Sequence, residues 1–353
     1  MRQSSNREIE VQPVAVSHRS VRLFASPRAS VGRPGFGLEA ARVAGQWLSR
    51  ERSIMGTAVR VELWSEERAH GEAAIAAVMD EMHRIDRAMS PYKSESELSR
   101  INRDAATVAV AISEEMADLI ARAAQFSRLS GGAFDITYAG AGHLYDYRLG
   151  IKPSDEVLAA ACSAVGHEHL ILDRAARTLR FARAGMRIDL GGFAKGHAVD
   201  RGAAILRQRG ITNAIVTAGG DSHVLGDHRG RPWSIAIRDP RRPGEVVAVL
   251  PLEDVAISTS GDYERFFEHD GVRCHHVIDP RTGKSPDSVH SVTILADDGL
   301  TSEALSKTVF VLGLDAGLRL VESQPGVDAV VVDAAGVLHY SSGLLNGGSQ
   351  TRQ

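Results

Sequence analysis

The chain has 353 residues, of which 43% are hydrophobic, and a formal net charge of −3. That length supports a sizeable core in one large domain or two smaller ones, and the near-neutral balance provides no general basic field for nucleic acid. Cys162 and Cys274 lie far apart and outside any Cys-x-x-Cys pair, which argues against a disulfide framework or a zinc cluster, and no apolar run reaches the roughly 18 residues that span a bilayer.

The first fifty residues hold eight Arg and three Glu with no Asp or Lys. They are frequent in Ser, Pro and Gly and show no h-region, so residues 1–52 read as a flexible Arg- and Ser-rich segment rather than a secretory signal, although such a composition can imitate a transit peptide. With neither an h-region nor a Cys near the start, the cytoplasm is the default location. Regular structure is expected to open at Met55-Gly56-Thr57 with an alternating strand over 57–63. Ile75, Val78, Met79, Met82, Ile85 and Met89 then recur at three- and four-residue steps, which is one face of an amphipathic helix over 69–89. Ser90-Pro91-Tyr92 breaks it, and a short helical turn follows at 98–102.

Ser113 is placed to cap a helix whose first turn carries Glu114 and Glu115 and whose end is marked by Gly131-Gly132. Further helices are expected at 153–165, 194–209 and about 302–312. A hairpin is expected over 170–181, a strand end at 187–190, and strands at 214–217, 233–237, 246–250, 274–278, 291–295, 327–332 and 337–340. Helices mixed with many antiparallel strands, lacking a strict βαβ rhythm, indicate an α+β fold. A single folded domain is expected over 53–345, with a flexible tail from 346 to 353.

Three stretches carry chemistry. Asp189-Leu190-Gly191-Gly192-Phe193-Ala194-Lys195-Gly196 runs from a strand through a glycine corner into a helix, a geometry that aims N–H groups and a positive dipole end at an anion, with Lys195 as a point charge. It is neither Gly-x-Gly-x-x-Gly nor a Walker loop, and tight strand–helix packing would also explain it. Thr217-Ala218-Gly219-Gly220-Asp221 is a second glycine corner. The stretch 255–286 gathers Ser258, Thr259 and Ser260, Gly261, the pair His275-His276, and the turn Asp279-Pro280-Arg281-Thr282-Gly283. Hydroxyls and backbone N–H groups suit oxyanions, Arg281 can fork onto phosphate, and a histidine can move protons near neutral pH.

Together these motifs resemble the ApbE family of FAD:protein FMN transferases, in the family's order and over roughly residues 53–345. The resemblance implies an ApbE-like (T-fold-related) fold of largely antiparallel sheets packed with helices. It implies that Asp189 and Lys195 contact FAD, that Met55 and Tyr92 border the isoalloxazine, and that Ala133-Phe134-Asp135 forms a flavin- or adenosine-contacting turn. Ile278 would pack against the flavin, His276 would accept the proton of the attacking hydroxyl, and Gly192 would offer its carbonyl to a metal.

The chain departs from the family pattern at Glu303 and Lys307, where the family commonly carries an Asp and a Thr that bind magnesium. Glu303 remains a hard oxygen ligand, whereas Lys307 cannot ligate as an ammonium. Either the two form an ordinary i,i+4 ion pair, or the Lys307 ammonium takes the place of Mg²⁺. The resulting expectation is transfer of FMN from FAD, as substrate, to a Ser or Thr of a target protein with release of AMP. Hydrolysis of FAD to FMN and AMP and a non-catalytic FAD carrier stay open beside it. Neither the acceptor nor the oligomeric state follows from the residues.

Overall fold

The computed structural model describes residues 45–347. Its strands and helices run in the order β1 (Gln46–Ile54), β2 (Thr57–Ser65), α1 (Arg68–Met89), α2 (Glu97–Asp104), β3 (Val110–Ala111), α3 (Glu114–Leu129), α4 (Ala139–Gly142) and α5 (Asp155–Cys162). There follow β4 (Leu170–Asp173), β5 (Thr178–Phe181), α6 (Ala194–Gln208), β6 (Ala214–Ala218), β7 (Asp221–Leu225), β8 (Trp233–Arg238), β9 (Val246–Leu252) and β10 (Ala256–Gly261). The chain closes with β11 (Phe266–His269), β12 (Val272–His275), β13 (Val289–Ala296), α7 (Gly299–Leu312), α8 (Leu314–Glu322), β14 (Asp328–Asp333), β15 (Leu338–Tyr340) and α9 (Ser342–Gly347).

Among the described residues the largest sheet has eight strands in the order β1-β2-β6-β7-β10-β13-β14-β15. Every pairing in it is antiparallel, so the expected α+β class is the one observed. Alternation builds this sheet: in β2, Val59, Val61 and Leu63 are fully buried while Arg60 and Glu62 lie on the other side. All six apolar residues read as the helical stripe of 69–89 are buried in α1. Together α1, α6 and α7 cover one face of the sheet. The β8–β9 ribbon covers part of the opposite face, where Ile237, Leu250 and Leu252 meet Ile257, Leu295 and Val330. Each such side chain removed from water contributes about 1.5–3 kcal/mol. A smaller sheet, β3-β5-β4, lies with α2 and α3.

Ser113 caps α3 as expected, accepting from Met116 N at 3.1 Å. Several expectations need correction. Residues 46–52 are strand, not flexible lead-in: β1 pairs with β2 from Gln46↔Ser65 to Ile54↔Thr57, because Leu48 and Ile54 bury on the same sheet. The expected tail from 346 begins inside α9. Residues 1–44 and 348–353 lie outside the described residues. The stretch 187–190 is extended but joins no ladder; the Asn102 side chain brackets it instead, donating to Ile188 O at 2.9 Å and accepting from Ile188 N at 2.7 Å. The strand expected over 274–278 stops at His275. β1, β3, β7, β10, β11, α4, α8 and α9 have no counterpart among the expected elements.

Candidate active site

Segments distant in sequence converge on a cleft of about 960 Å³. The β1–β2 turn, the 189–195 corner, the β6–β7 turn, the end of β10, residues 276–278 and Lys307 all line it.

The first glycine corner is held from within. Asp189 accepts Gly191 N at 2.5 Å, and Ala194 N donates to Leu190 O at 2.6 Å to start α6. Burial raises the Asp189 pKa, opposed by that N–H and by Lys195. Gly196 is glycine for a packing reason: a Cβ there would collide with the Gly299 carbonyl where α6 crosses the start of α7. Asp200 tightens the crossing by accepting Gly299 N at 2.6 Å and Leu300 N at 3.0 Å. The second corner, Gly219-Gly220, is the two-residue turn of the β6–β7 hairpin, with Ala218 opposite Asp221. Gly219 has φ +62°, and a Cβ on Gly220 would lie 2.7 Å from Thr259 O.

Because α6 and α7 cross so closely, two lysines and two carboxylates meet on the cleft floor. The Lys195 ammonium contacts Glu303 Oε1, lies 2.9 Å from Asp221 Oδ2, and donates to Gly191 O at 3.2 Å. Glu303 Oε2 accepts Gly196 N at 2.7 Å, and Ser258 donates to Asp221. Burial works against the charge on Lys195, but Asp221 and Glu303 outweigh it and hold its pKa above the ordinary lysine range. Burial and then Asp221 raise the Glu303 pKa. Lys307 donates to Ser260 Oγ at 2.8 Å and stands 4.0 Å from Glu303 Oε1. Burial and then Lys195 lower its pKa. The three hydrogens of the Lys195 ammonium thus all face protein oxygens, whereas Lys307 makes one hydrogen bond among the described residues.

The vicinal histidines divide. His275 is structural: its Nε2 lies 2.7 Å from Pro286 O and its ring meets Phe310 edge-on at 5.4 Å. His276 lines the cleft, tied down by its backbone N–H to Arg265 O at 3.1 Å. Its buried Nδ1 has no partner among the described residues. Burial, with Lys307 and His275 adding, pushes its pKa down to about 3, so the ring is neutral at pH 7.

Another part of the cleft lining is aromatic. Tyr92 stands on the rim 89% exposed, its ring face open. Met55 occupies the tip of the β1–β2 turn at φ +56°, followed by Gly56 at +70°; a side chain other than Gly, Asn or Asp in the left-handed region is a strained choice of about 1 kcal/mol or more. Ile278 is buried against Ala141, Tyr145 and Leu158. Tyr138, Tyr145 and Tyr147 add a wall, and Asn102 and Asp221 join the lining. None of these five stood out as a site residue in its own right in the sequence: the three tyrosines lie in loops and short turns without a period, Asp221 opens a five-residue strand, and Asn102 is one polar position of the short helix α2.

Some assigned roles do not survive in the form expected. The Asp135 carboxylate is 4% exposed and engaged by Thr137 N at 2.9 Å, Thr137 Oγ1 at 2.7 Å and His167 N at 2.8 Å. It caps a local turn, leaving only the backbone at Ala133, Phe134 and Asp135 to meet a ligand. Phe134 itself packs on Phe126 and Phe193. Arg281 forks onto Asp279 at 2.8 Å through both Nε and a terminal nitrogen, not into the cleft. Ser258 is fully buried and faces Asp221 and Ser306.

The donor set does not suit a divalent cation. Both Glu303 oxygens already accept from Lys195 and Gly196, Asp221 is paired with Lys195 and Ser258, and an ammonium stands at 307. Among the described residues no cluster of three or more His, Cys, Asp or Glu could hold a metal ion. Hard cations need unprotonated oxygens that are not already neutralised by ammonium groups.

A cleft that is aromatic at one rim and glycine-cornered and cationic at its floor belongs to a protein that receives a planar, phosphate-bearing ligand. The ApbE family profile matches residues 55–331, and the chain belongs to the ApbE family. It is 32% identical to the FAD:protein FMN transferase of Treponema pallidum (strain Nichols) over 317 residues, covering 84% of this chain and 88% of the relative. It is 34% identical to that of Haemophilus influenzae over 294 residues, covering 78% and 83%. Among solved structures, the ApbE protein of Thermotoga maritima superposes with a TM-score of 0.78 at 34% identity, covering 84% of this chain and 97% of the other. The flavin transferase ApbE of Vibrio cholerae superposes with a TM-score of 0.76 at 28% identity, covering 86% and 99%. No helix among the described residues is long and apolar enough to cross a membrane.

Proposed function

We propose that this chain is an FAD:protein FMN transferase that attaches FMN to a Ser or Thr hydroxyl of a target protein. The observation that carries the reading is the meeting of a neutral, cleft-lining His276 with two glycine corners and the incompletely bonded Lys307 ammonium. The acceptor oxygen attacks the FMN-side phosphorus of FAD; the bond from that phosphorus to the bridging oxygen breaks, and AMP leaves. His276 takes the hydroxyl proton. A base with so low a proton affinity is weak, but Lys307, Lys195 and Arg265, which help depress it, also line the cleft, and the negative charge of a diphosphate beside them raises the His276 pKa back towards the ordinary histidine range.

Met55 and Tyr92 border the isoalloxazine, Ile278 packs beneath it, and the backbone at Ala133, Phe134 and Asp135 meets the flavin or the adenosine. Asp189 and Lys195 shape the glycine corner around the diphosphate. Positioning and charge neutralisation supply the rest of the rate. Incubating the full chain with FAD and an acceptor protein that carries a flavinylation Ser or Thr should raise the acceptor mass by one FMN less one water. Free AMP without label would instead identify hydrolysis, and unchanged bound FAD a carrier.

A further inference from the structure

Given the flavin-transferase reading, on which it rests, we infer that the Lys307 ammonium stands in this chain where a divalent cation would face the diphosphate, so that FAD is bound without a metal. Glu303 and Lys307 are one turn apart on α7 and form a single device. The extra methylene of Glu303 carries its carboxylate across to α6, where one oxygen meets Lys195 and the other accepts Gly196 N at 2.7 Å. That leaves Glu303 a strut between two helices with neither oxygen free to ligate.

Lys307 fills the remaining space. Its stem lies along the glycine corner: a Cβ on Gly192 would sit 3.4 Å from Lys307 Cγ and 3.7 Å from Cε. Its ammonium is fixed by Ser260 Oγ at 2.8 Å, and Ser260 is itself anchored to Ser306 Oγ at 2.7 Å. Beyond that bond Lys307 has only the 4.0 Å ion pair with Glu303 Oε1, an oxygen already in contact with Lys195, whereas Lys195 is held closely by both Asp221 and Glu303. An ammonium is a compact point charge with three donors, and a fixed one can neutralise a phosphate oxygen as the catalytic lysines of nucleotide-binding loops do. The three residues expected to make a metal site are thus a backbone lined by a lysine stem, a saturated carboxylate, and a cation.

The test is a titration of the full chain with FAD, followed by flavin fluorescence, in EDTA and again in excess Mg²⁺, with riboflavin as a probe that lacks phosphate. Wild-type affinity for FAD should agree within about twofold between the two conditions. In EDTA, Lys307→Gln should weaken FAD binding by about tenfold or more while leaving riboflavin binding unchanged, which separates loss of charge from loss of fold. Wild-type binding that collapses in EDTA and returns with Mg²⁺ would overturn the inference and leave the flavin reading standing. So would a Lys307→Gln variant that binds FAD as tightly as wild type, or one that loses riboflavin in equal measure. Absence of saturable FAD binding in both conditions overturns the two together.

Discussion

Two parts of the cleft lining are built on opposite principles. At the ring end, Tyr92 stands 89% exposed on a turn and Met55 sits at the tip of a hairpin; neither side chain is locked into a polar network. On the floor, Glu303 and Asp221 are almost completely buried and joined to Lys195, Lys307, Ser258 and Ser260. Ring recognition needs only a flat apolar surface, which water tolerates when the site is empty. Charge recognition needs fixed counter-charges out of water, and those must satisfy one another before a ligand arrives. Substitutions at the ring end should therefore change affinity alone, whereas those that remove a buried carboxylate from the floor should change folding as well.

The largest effect is expected beside the floor. His276→Gln keeps a polar side chain of similar size but cannot take a proton, so transfer should fall by about 10²- to 10⁴-fold with FAD affinity kept; single-turnover labelling of the acceptor measures it, and an unchanged rate would remove His276 as the base. Glu303→Ala strands the Lys195 ammonium and orphans Gly196 N, and breaking a buried pair in this way should cost about 3–5 kcal/mol, read from urea midpoints. A loss no greater than that of an exposed ion pair would erase the contrast between the two parts.

A smaller effect follows pH. An unfolded histidine titrates near 6.5, whereas His276 in the fold does so at about 3. Between those values the unfolded chain binds more protons, so His276 helps stability above pH 6.5 and that help is lost as pH falls through the window, by up to ~1.4 kcal/mol per pH unit. His276→Gln should flatten the slope of stability against pH between 6.5 and 4.5 by that amount, and parallel slopes for the two proteins would count against a buried neutral ring. The smallest effect belongs to the rim: Tyr92→Ala should weaken FAD by about 0.5–1.5 kcal/mol, the worth of one stacked aromatic contact, with thermal stability unchanged. A large drop in melting temperature would show that Tyr92 is part of the fold after all.

Much of the fold could be read along the chain because its elements follow local periods. The α1 stripe from Ile75 to Met89 and the β2 alternation through Val59, Val61 and Leu63 are visible wherever one face is buried. β1 was missed because its outward residues, Arg50 to Ser53, are polar and its start is masked by an Arg-rich context. β10 does not show as a strand in the sequence because Ser258 and Ser260 are buried polar residues, which strand patterns do not anticipate. Asp135 and Arg281 have the right residue types in the right motifs, yet each found a partner within its own turn or the adjoining one.

What the amino-acid order determined by itself was the set of local geometries: the glycine corners, the helix caps and the departure of Glu303 and Lys307 from the family pattern. Which of the polar residues would face a ligand was decided only when α6 crossed α7 at Gly196 and Gly299 and brought charges more than a hundred residues apart into contact. A charged group's role depends on which opposite charges it meets once water is removed, and that pairing exists only in three dimensions.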